Sequence, residues 1–239
     1  MYGDDKYLDA VYSAELKPHG KYPALLARRL TELYFESPGR LLDLGCGRGD
    51  ALRAFASIGY DVAGVDLSPR SPQLAPEFDV RVGDLENDPL PFESGSFDYV
   101  FSKSVVEHSF RPVAILEHAY TALRPGGKIV VMTPSWLHTG RRTFYGGVGH
   151  VTPFTTVSMR RTLQLAGFTA IRTSFFYQLP FLWRLPFLRP LVRALGLLHI
   201  PYRPFYERAP WPESLNKLVR FSTEVMLLGY AERPRGEPY

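Results

Sequence analysis

Apolar and polar positions along this chain fall into short runs that alternate between two periods. Leu25, Leu26, Leu30 and Leu33 recur at helical spacing and predict a helix that Pro38-Gly39 ends. Leu41, Leu42 and Leu44 then form a compact apolar run, the mark of a buried strand, which stops at three glycines on alternate positions, Gly45, Gly47 and Gly49. A helix-like segment follows from Ala51 to Ser57, closed by Gly59 ahead of a second strand at Val62, Ala63 and Val65. A short third strand is expected at 80–84 and a fourth through Phe97, Tyr99, Val100 and Phe101. Next come a helix, a Pro125-Gly126-Gly127 turn and a fifth strand from Ile129 to Met132. Residues 133–149 are glycine-rich and without period, which in a compact domain usually means a functional loop. Thr155 or Thr156 offers an N-cap to a helix that Gly167 stops, and Ile171 to Tyr177 supply a sixth strand. Phe221 to Ala231 read as a seventh strand, antiparallel to the sixth, so that 178–219 form an insert in a hairpin at the sheet edge.

Candidate chemistry gathers at the strand ends. Glycines at a strand-to-helix turn let a ligand approach the backbone closely, and the helix beyond presents unpaired N–H groups. Asp43 stands two residues before Gly45, where a carboxylate accepts from an ammonium and repels a pyrophosphate. Asp66 ends the second strand, at about the distance beyond a glycine turn where an acid binds ribose hydroxyls; its bland alternative is an N-cap for the segment after Ser68. Asp84-Leu85 follow the third strand. Ser102 to His108 follow the fourth, and ligands of open α/β sheets sit outside such carboxyl ends. His108 and His150 therefore face one cleft, each either a hydrogen-bonded structural histidine or a base. Cys46, between two of the glycines, reads as a steric filler.

The run D-x-G-x-G-x-G from Asp43 resembles motif I of the class I S-adenosylmethionine-dependent methyltransferases. L-P-F-x-x-x-S-F-D at 90–98 resembles the type 11 subgroup that holds the ubiquinone and menaquinone biosynthesis enzymes, and L-R-P-G-G-K at 123–128 and F-T-x-x-x-M-x-x-x-L-x-x-A-G-F at 154–168 fit the same pattern. The resemblance covers roughly 40–177 and resumes at 221–232. It implies an α/β, Rossmann-like, seven-stranded mostly parallel sheet with helices on both faces and the last strand antiparallel. It also implies S-adenosyl-L-methionine as methyl donor. Asp43, Gly45, Cys46, Gly47 and Gly49 would hold the methionine part, Asp66 and Leu67 the ribose, and Asp84 and Leu85 the adenine, with Ser102 lining the methyl face. Small-RNA 2′-O-methyltransferases and ubiquinone-pathway O-methyltransferases carry Glu-x-x-Glu-His after strand four, which with a later histidine can bind a divalent metal. Here the run is Ser104-Val105-Val106-Glu107-His108, with His150 later; Ser104 removes one anionic ligand, which favours base or substrate positioning over metal binding. The expected activity is O-methylation of a small molecule or a glycan- or lipid-linked acceptor, with His108 or His150 as base beside Glu107. Rival readings are an RNA or protein methyltransferase and a cofactor-binding interaction module without transfer activity.

Composition narrows this little. The chain has 239 residues, 45% hydrophobic and 22% charged, ordinary for one globular domain with elaborations. The elaborations are an N-terminal helical lid (1–39) and the 178–219 insert or cap. One cysteine excludes an internal disulfide, and the polar, acidic start without an apolar core predicts a cytoplasmic protein. A net charge of +4 from scattered arginines, without a basic stripe or an N-P-P-Y motif, argues against a nucleic-acid partner. Tyr2, Tyr7, Tyr12 and Tyr22 either pack or cover the cleft, and Arg141 and Arg142 either meet a phosphate or are solvated. In the insert, Trp183, Arg184, Arg189 and Arg193 suit a lid or a peripheral contact with anionic lipid; the prolines, by breaking a long periodic face, favour the lid. Nothing in the sequence sets the oligomeric state.

Overall fold

The computed structural model describes residues 20–140, 144–146, 149–198, 200–202 and 211–236. Helix α1 (Tyr22–Leu30), extended by a wider turn at Thr31–Phe35, leads into β1 (Arg40–Leu44), α2 (Asp50–Ala56), β2 (Asp61–Asp66), the short α3 (Ser71–Leu74) and β3 (Asp79–Val82). Then follow β4 (Phe97–Lys103), a single 3-10 turn (Val106–His108), α4 (Pro112–Ala122), β5 (Leu123–Pro134), α5 (Trp136–Thr139), α6 (Thr156–Leu165) and β6 (Thr169–Phe176). The chain continues with α7 (Phe181–Arg184), α8 (Arg189–Leu197), α9 (Glu213–Thr223) and β7 (Met226–Glu232).

The strands make one seven-stranded sheet in the order β3-β2-β1-β4-β5-β7-β6. β1 is parallel to β2 and β4, β2 to β3 and β4 to β5, whereas β7 lies antiparallel between β5 and β6. The parallel strands carry near-continuous apolar runs because both faces are covered. On one face Leu42, Leu44, Val100 and Val131 pack against Ile115, Leu116 and Ala119 of α4 and Met159 and Leu163 of α6. On the other, Leu41, Tyr99, Phe101 and Val130 pack against Leu26 and Leu30 of α1 and Leu52 and Phe55 of α2. There Phe35, Phe55, Tyr60, Tyr99 and Phe101 form tilted and edge-on pairs at 4.7–6.3 Å, each adding about 1 kcal/mol to area burial.

Three expectations are corrected. The third strand stops at Val82, and Gly83 donates back to Asp66 O (3.0 Å), so Asp84 stands beyond the strand. β5 begins at Leu123, because Leu123 pairs with Phe97 of β4 across an irregularity in the ladder, while Arg233, just past β7, holds the Pro-Gly-Gly turn: Gly126 N–H meets Arg233 O and Arg233 N–H meets Gly127 O. The seventh strand starts at Met226; Phe221–Thr223 close α9, where the Arg220–Glu224 pair (2.7 Å) secures the last turn. As expected, no single long periodic face runs through the insert, whose short helices begin at prolines: Pro180 caps α7, Pro190 occupies the first turn of α8 and Pro212 caps α9. Leu179, Leu182 and Val192 form a small core of their own there. Because Phe176 pairs with Met226, and Pro134 with the same residue, this cap springs from the carboxyl edge of the parallel strands. Residues 1–19 of the expected lid lie outside the described residues, as do Arg141 and Arg142.

Candidate active site

The turn after β1 is held from beneath and open above. Gly45, Gly47 and Gly49 all have positive φ (74°, 53° and 80°). A side chain on Gly45 would collide with Val105 Cγ2, whereas a Cβ on Gly47 would meet nothing within 4 Å. The free space over Gly47 is where a ligand can touch the backbone. Cys46 is buried against Gly64, and burial, with Asp43 and Asp66 adding to it, pushes its thiol up, so it fills space as expected.

The acids flank this turn. Asp66 Oδ2 accepts from Gly47 N–H (2.8 Å) and Oδ1 from Ser68 N–H (2.9 Å), so the carboxylate braces the loop and keeps two further lone-pair sites. The N-cap alternative places it before a helix after Ser68; α3 instead has Arg70 as its cap residue, without a side-chain bond. Leu67 beside Asp66 is exposed. Asp43 is buried and makes no hydrogen bond or ion pair with any described residue; burial raises its pKa well above the usual range, Asp66 adds to this and Lys103 opposes it. A buried carboxylate in that state calls for a cation. Asp84 Oδ1 accepts from Glu86 N–H (2.9 Å) and Asn87 N–H (3.2 Å) and Oδ2 from the Asn87 side chain (2.9 Å), which together hold it below the ordinary value. Leu85 is buried and its carbonyl meets His118 Nδ1 at 3.0 Å. Ser102, buried near the end of β4, donates to Leu44 O at 3.4 Å.

Glu107 organises the other side. It is fully buried on the turn after β4, Oε2 accepts from Thr133 Oγ1 (2.9 Å), and Oε1 has no partner. Burial lifts its pKa from 4.5 to about 7. Its backbone carbonyl accepts from Val151 N–H (2.8 Å) and Thr152 N–H (3.0 Å), which fastens the later segment to this turn. That clamp sets His108 and His150 edge to face, with ring centroids 4.7 Å apart and an interplanar angle of 72°. Burial first and His150 second lower His108 to about 4, although its ring bonds the Gly149 backbone. Burial likewise lowers His150, with the Phe144 backbone opposing it, and its Nδ1 is buried without a partner among the described residues. One donor atom each from Glu107, His108 and His150 lie within 4.8 Å of one another.

Three features were missed in the sequence. Thr133 anchors Glu107, and nothing but its place at the end of β5 marks it. Ser104 has a positive φ (60°), rare for a residue with a side chain, as the chain bends off β4. Lys103, the last residue of β4, is mostly buried; burial lowers its pKa, Glu107 opposes this most strongly, and Arg220 adds to the lowering. Tyr22 packs on Trp183 (6.1 Å) with its hydroxyl buried and unpartnered, which suits packing between α1 and the cap.

Fold and site together define an α/β protein that binds a nucleoside-type cofactor over a glycine turn. Residues 18–173 match the methyltransferase domain family, and the chain belongs to that family, the class I S-adenosylmethionine-dependent methyltransferases. The ubiquinone biosynthesis O-methyltransferase of Xanthomonas axonopodis pv. citri is 34% identical over 102 residues, 39% of this chain and 42% of that protein, so the match spans less than half of the relative. A chain of the complex between the Haloferax volcanii Trm112 methyltransferase activator and a methyltransferase superposes with a TM-score of 0.70 at 21% identity, over 98% of this chain and 99% of that one. Phosphoethanolamine N-methyltransferase 2 of Haemonchus contortus, solved with phosphomonomethylethanolamine and S-adenosylhomocysteine, reaches 0.59 at 22% identity, over 88% of this chain and 52% of that one. These likenesses between structures speak to the fold.

Proposed function

We propose that this chain is an S-adenosylmethionine-dependent O-methyltransferase acting on a hydroxyl of a small molecule or of a glycan- or lipid-linked acceptor. The observation that carries the O-methyl reading is the buried Nδ1 of His150, which has no partner among the described residues. When bound, the cofactor supplies an electrophilic methyl on a sulfonium whose departure leaves a neutral thioether. Asp43 and the 45–49 turn suit its methionine end, because a buried acid without a partner sits beside open space over Gly47. Asp66 and Leu67 would take the ribose, Asp84 and Leu85 the adenine, and Ser102 would line the methyl face. His150 Nδ1 takes the proton of the acceptor hydroxyl as the new C–O bond forms, and the imidazolium so created is balanced by the neighbouring Glu107 carboxylate. His108 packs edge to face against His150 and positions it.

A second reading rests on the same two orphaned atoms. Glu107 Oε1 and His150 Nδ1, with His108, could hold a divalent cation, and one carboxylate with two imidazoles suits a borderline metal better than a hard one. Such an ion would lower the pKa of the acceptor hydroxyl. The cap at 178–219 is the part we assign to acceptor choice: Phe187, Leu191, Leu197 and Leu198 are exposed there beside Arg184, Arg189 and Arg193, a surface suited to an apolar acceptor or an anionic lipid face. No helix among the described residues is long and apolar enough to cross a membrane. We place the protein in the cytoplasm.

Calorimetry with S-adenosylmethionine, followed by turnover on a panel of hydroxyl acceptors, tests the proposal. Micromolar binding and a methyl ether product are expected. Absence of binding alongside tight binding of a nicotinamide dinucleotide would overturn it. Manganese or zinc titration decides the second reading: binding that Glu107→Gln abolishes supports the ion, and none in the wild type removes it.

A further inference from the structure

Charge is distributed unevenly along this chain. Residues 118–206 hold eleven lysines and arginines and no aspartate or glutamate, whereas the remaining residues hold 17 and 24. Within that span the cap carries Arg184 at the end of α7 and Arg189 and Arg193 one turn apart on α8. All three are exposed, and none makes a hydrogen bond or ion pair with any described residue. The same element leaves large apolar side chains in water. Val192 is buried and a Cβ on Gly196 would run into Ser222 O, so these two set the inward face of α8 against α9. At about 100° per residue, Leu191, Ala194, Leu197 and Leu198 fall away from that face, with Arg189 and Arg193 along one flank. Phe187, Leu191, Leu197 and Leu198 are 67–71% exposed.

Large apolar side chains clustered in water beside such arginines mark a docking face, and charge decides what docks there. A second copy of the chain would set the same three cations against themselves across a two-fold axis. A nucleic acid would satisfy the arginines and leave the leucines in water. An anionic lipid surface satisfies both, since acyl chains take the apolar side chains while head-group phosphates meet the guanidinium forks. Length does not decide such binding, so the short α8 suffices with this charge around it. We infer that the cap docks the protein on an anionic lipid surface through Phe187, Leu191 and Leu198, with Arg184, Arg189 and Arg193 at the head groups. The cap springs from the carboxyl edge of the sheet, so docking turns the edge that holds the glycine turn and the two histidines toward the lipid. This deepens the role assigned to the cap above and holds whether or not the site transfers a methyl group.

Flotation of the full chain with vesicles of phosphatidylcholine alone, and of an equal mixture of phosphatidylcholine and phosphatidylglycerol, tests this without cofactor or acceptor. Binding is expected on the anionic vesicles only and should weaken in high salt. Each arginine near such a surface contributes about a 5-fold gain, so Arg184→Gln, Arg189→Gln and Arg193→Gln together should cost roughly 100-fold. Phe187→Ser with Leu191→Ser should cost at least about 10-fold at unchanged charge. Both variants alter exposed side chains only, and a Tm equal to that of wild type shows that they are folded. Absence of binding to either vesicle, equal binding to both, or anionic binding that survives both sets of substitutions would overturn the inference. A dimer in sedimentation that the Phe187→Ser, Leu191→Ser variant dissociates would give the face to a second copy and overturn it too. Displacement from the vesicles by a homopolymeric RNA that this variant binds as well as wild type would give it to a nucleic acid, with the same result. No step needs S-adenosylmethionine, so the cofactor reading stands or falls separately.

Discussion

His108 and His150 stand 4.7 Å apart edge to face although 42 positions separate them in the chain, because the Glu107 carbonyl grips the N–H groups of Val151 and Thr152. The two rings are not equivalent. His108 bonds the Gly149 backbone, whereas His150 leaves Nδ1 buried and unpartnered. His150→Ala should therefore lower kcat by about 10²- to 10⁴-fold with cofactor affinity intact, the range of a lost general base. His108→Ala should cost less, as a group that acts through its neighbour. Full turnover by both variants on the acceptor would end the base assignment.

Glu107 makes a stability prediction with a definite sign. Its pKa rises from 4.5 to about 7 on folding, so the folded chain holds this proton more tightly than the unfolded chain. Below pH 4.5 both states are protonated and the group is neutral in the balance. Between 4.5 and 7 the unfolded chain ionises first, and stability falls as pH rises until the cost levels off above 7. At about 1.36 kcal/mol per unit the full cost is on the order of 3 kcal/mol. Glu107→Gln keeps an acceptor for Thr133 and removes the charge, so in urea melts its advantage over wild type should be near zero at low pH and greatest above neutrality. A difference that does not vary with pH would refute the buried-charge account.

Much of the sheet was legible because burial on both faces leaves the parallel strands with unbroken apolar runs, as in Leu41 to Leu44 and Val62 to Val65. The glycine turn and the acids at the strand ends were legible for a related reason, since each sits where one period gives way to another. The cap was not. Its helices run only four to eleven residues, too short to display a period, and the prolines at their starts interrupt any pattern that would join them. Phe221–Thr223 also misled, β-prone side chains closing a helix against a strand. In the site, His108 and His150 could be named from their strand ends, but the edge-to-face packing of the two rings and the unpartnered His150 Nδ1 are tertiary facts. Lys103 was overlooked because a lone cation at the end of a strand has no pattern, and only its burial beside Glu107 makes it conspicuous.

Asp66 braces the loop as well as facing the proposed ribose site. Asp66→Ala leaves the N–H groups of Gly47 and Ser68 without their acceptor, bonds of 2.8 and 2.9 Å to a charged group, and should cost about 2–3 kcal/mol of stability even without ligand. Asp66→Asn keeps one of the two acceptors and should recover part of that stability. If the alanine variant melts with the wild type, the brace is not a stability element.

Gly45 and Gly47 differ in what a methyl group would meet, and the pair separates folding from binding. At Gly45, φ is 74° and an added Cβ runs into Val105 Cγ2, which is packed against the core and has little room to yield. Gly45→Ala should therefore destabilise by more than the roughly 1 kcal/mol of a left-handed alanine, and Val105→Ala in the same chain should return the excess but not the remainder. At Gly47, φ is 53° and the Cβ meets nothing within 4 Å, so Gly47→Ala carries the backbone term alone and the protein should stay folded with a slightly lowered Tm. Its methyl group would nonetheless project into the space assigned to the cofactor. Calorimetry should then show a loss of S-adenosylmethionine affinity in Gly47→Ala well beyond its loss of stability. Unchanged affinity would mean that the ligand does not pass over this turn, and the placement of the methionine end would have to move.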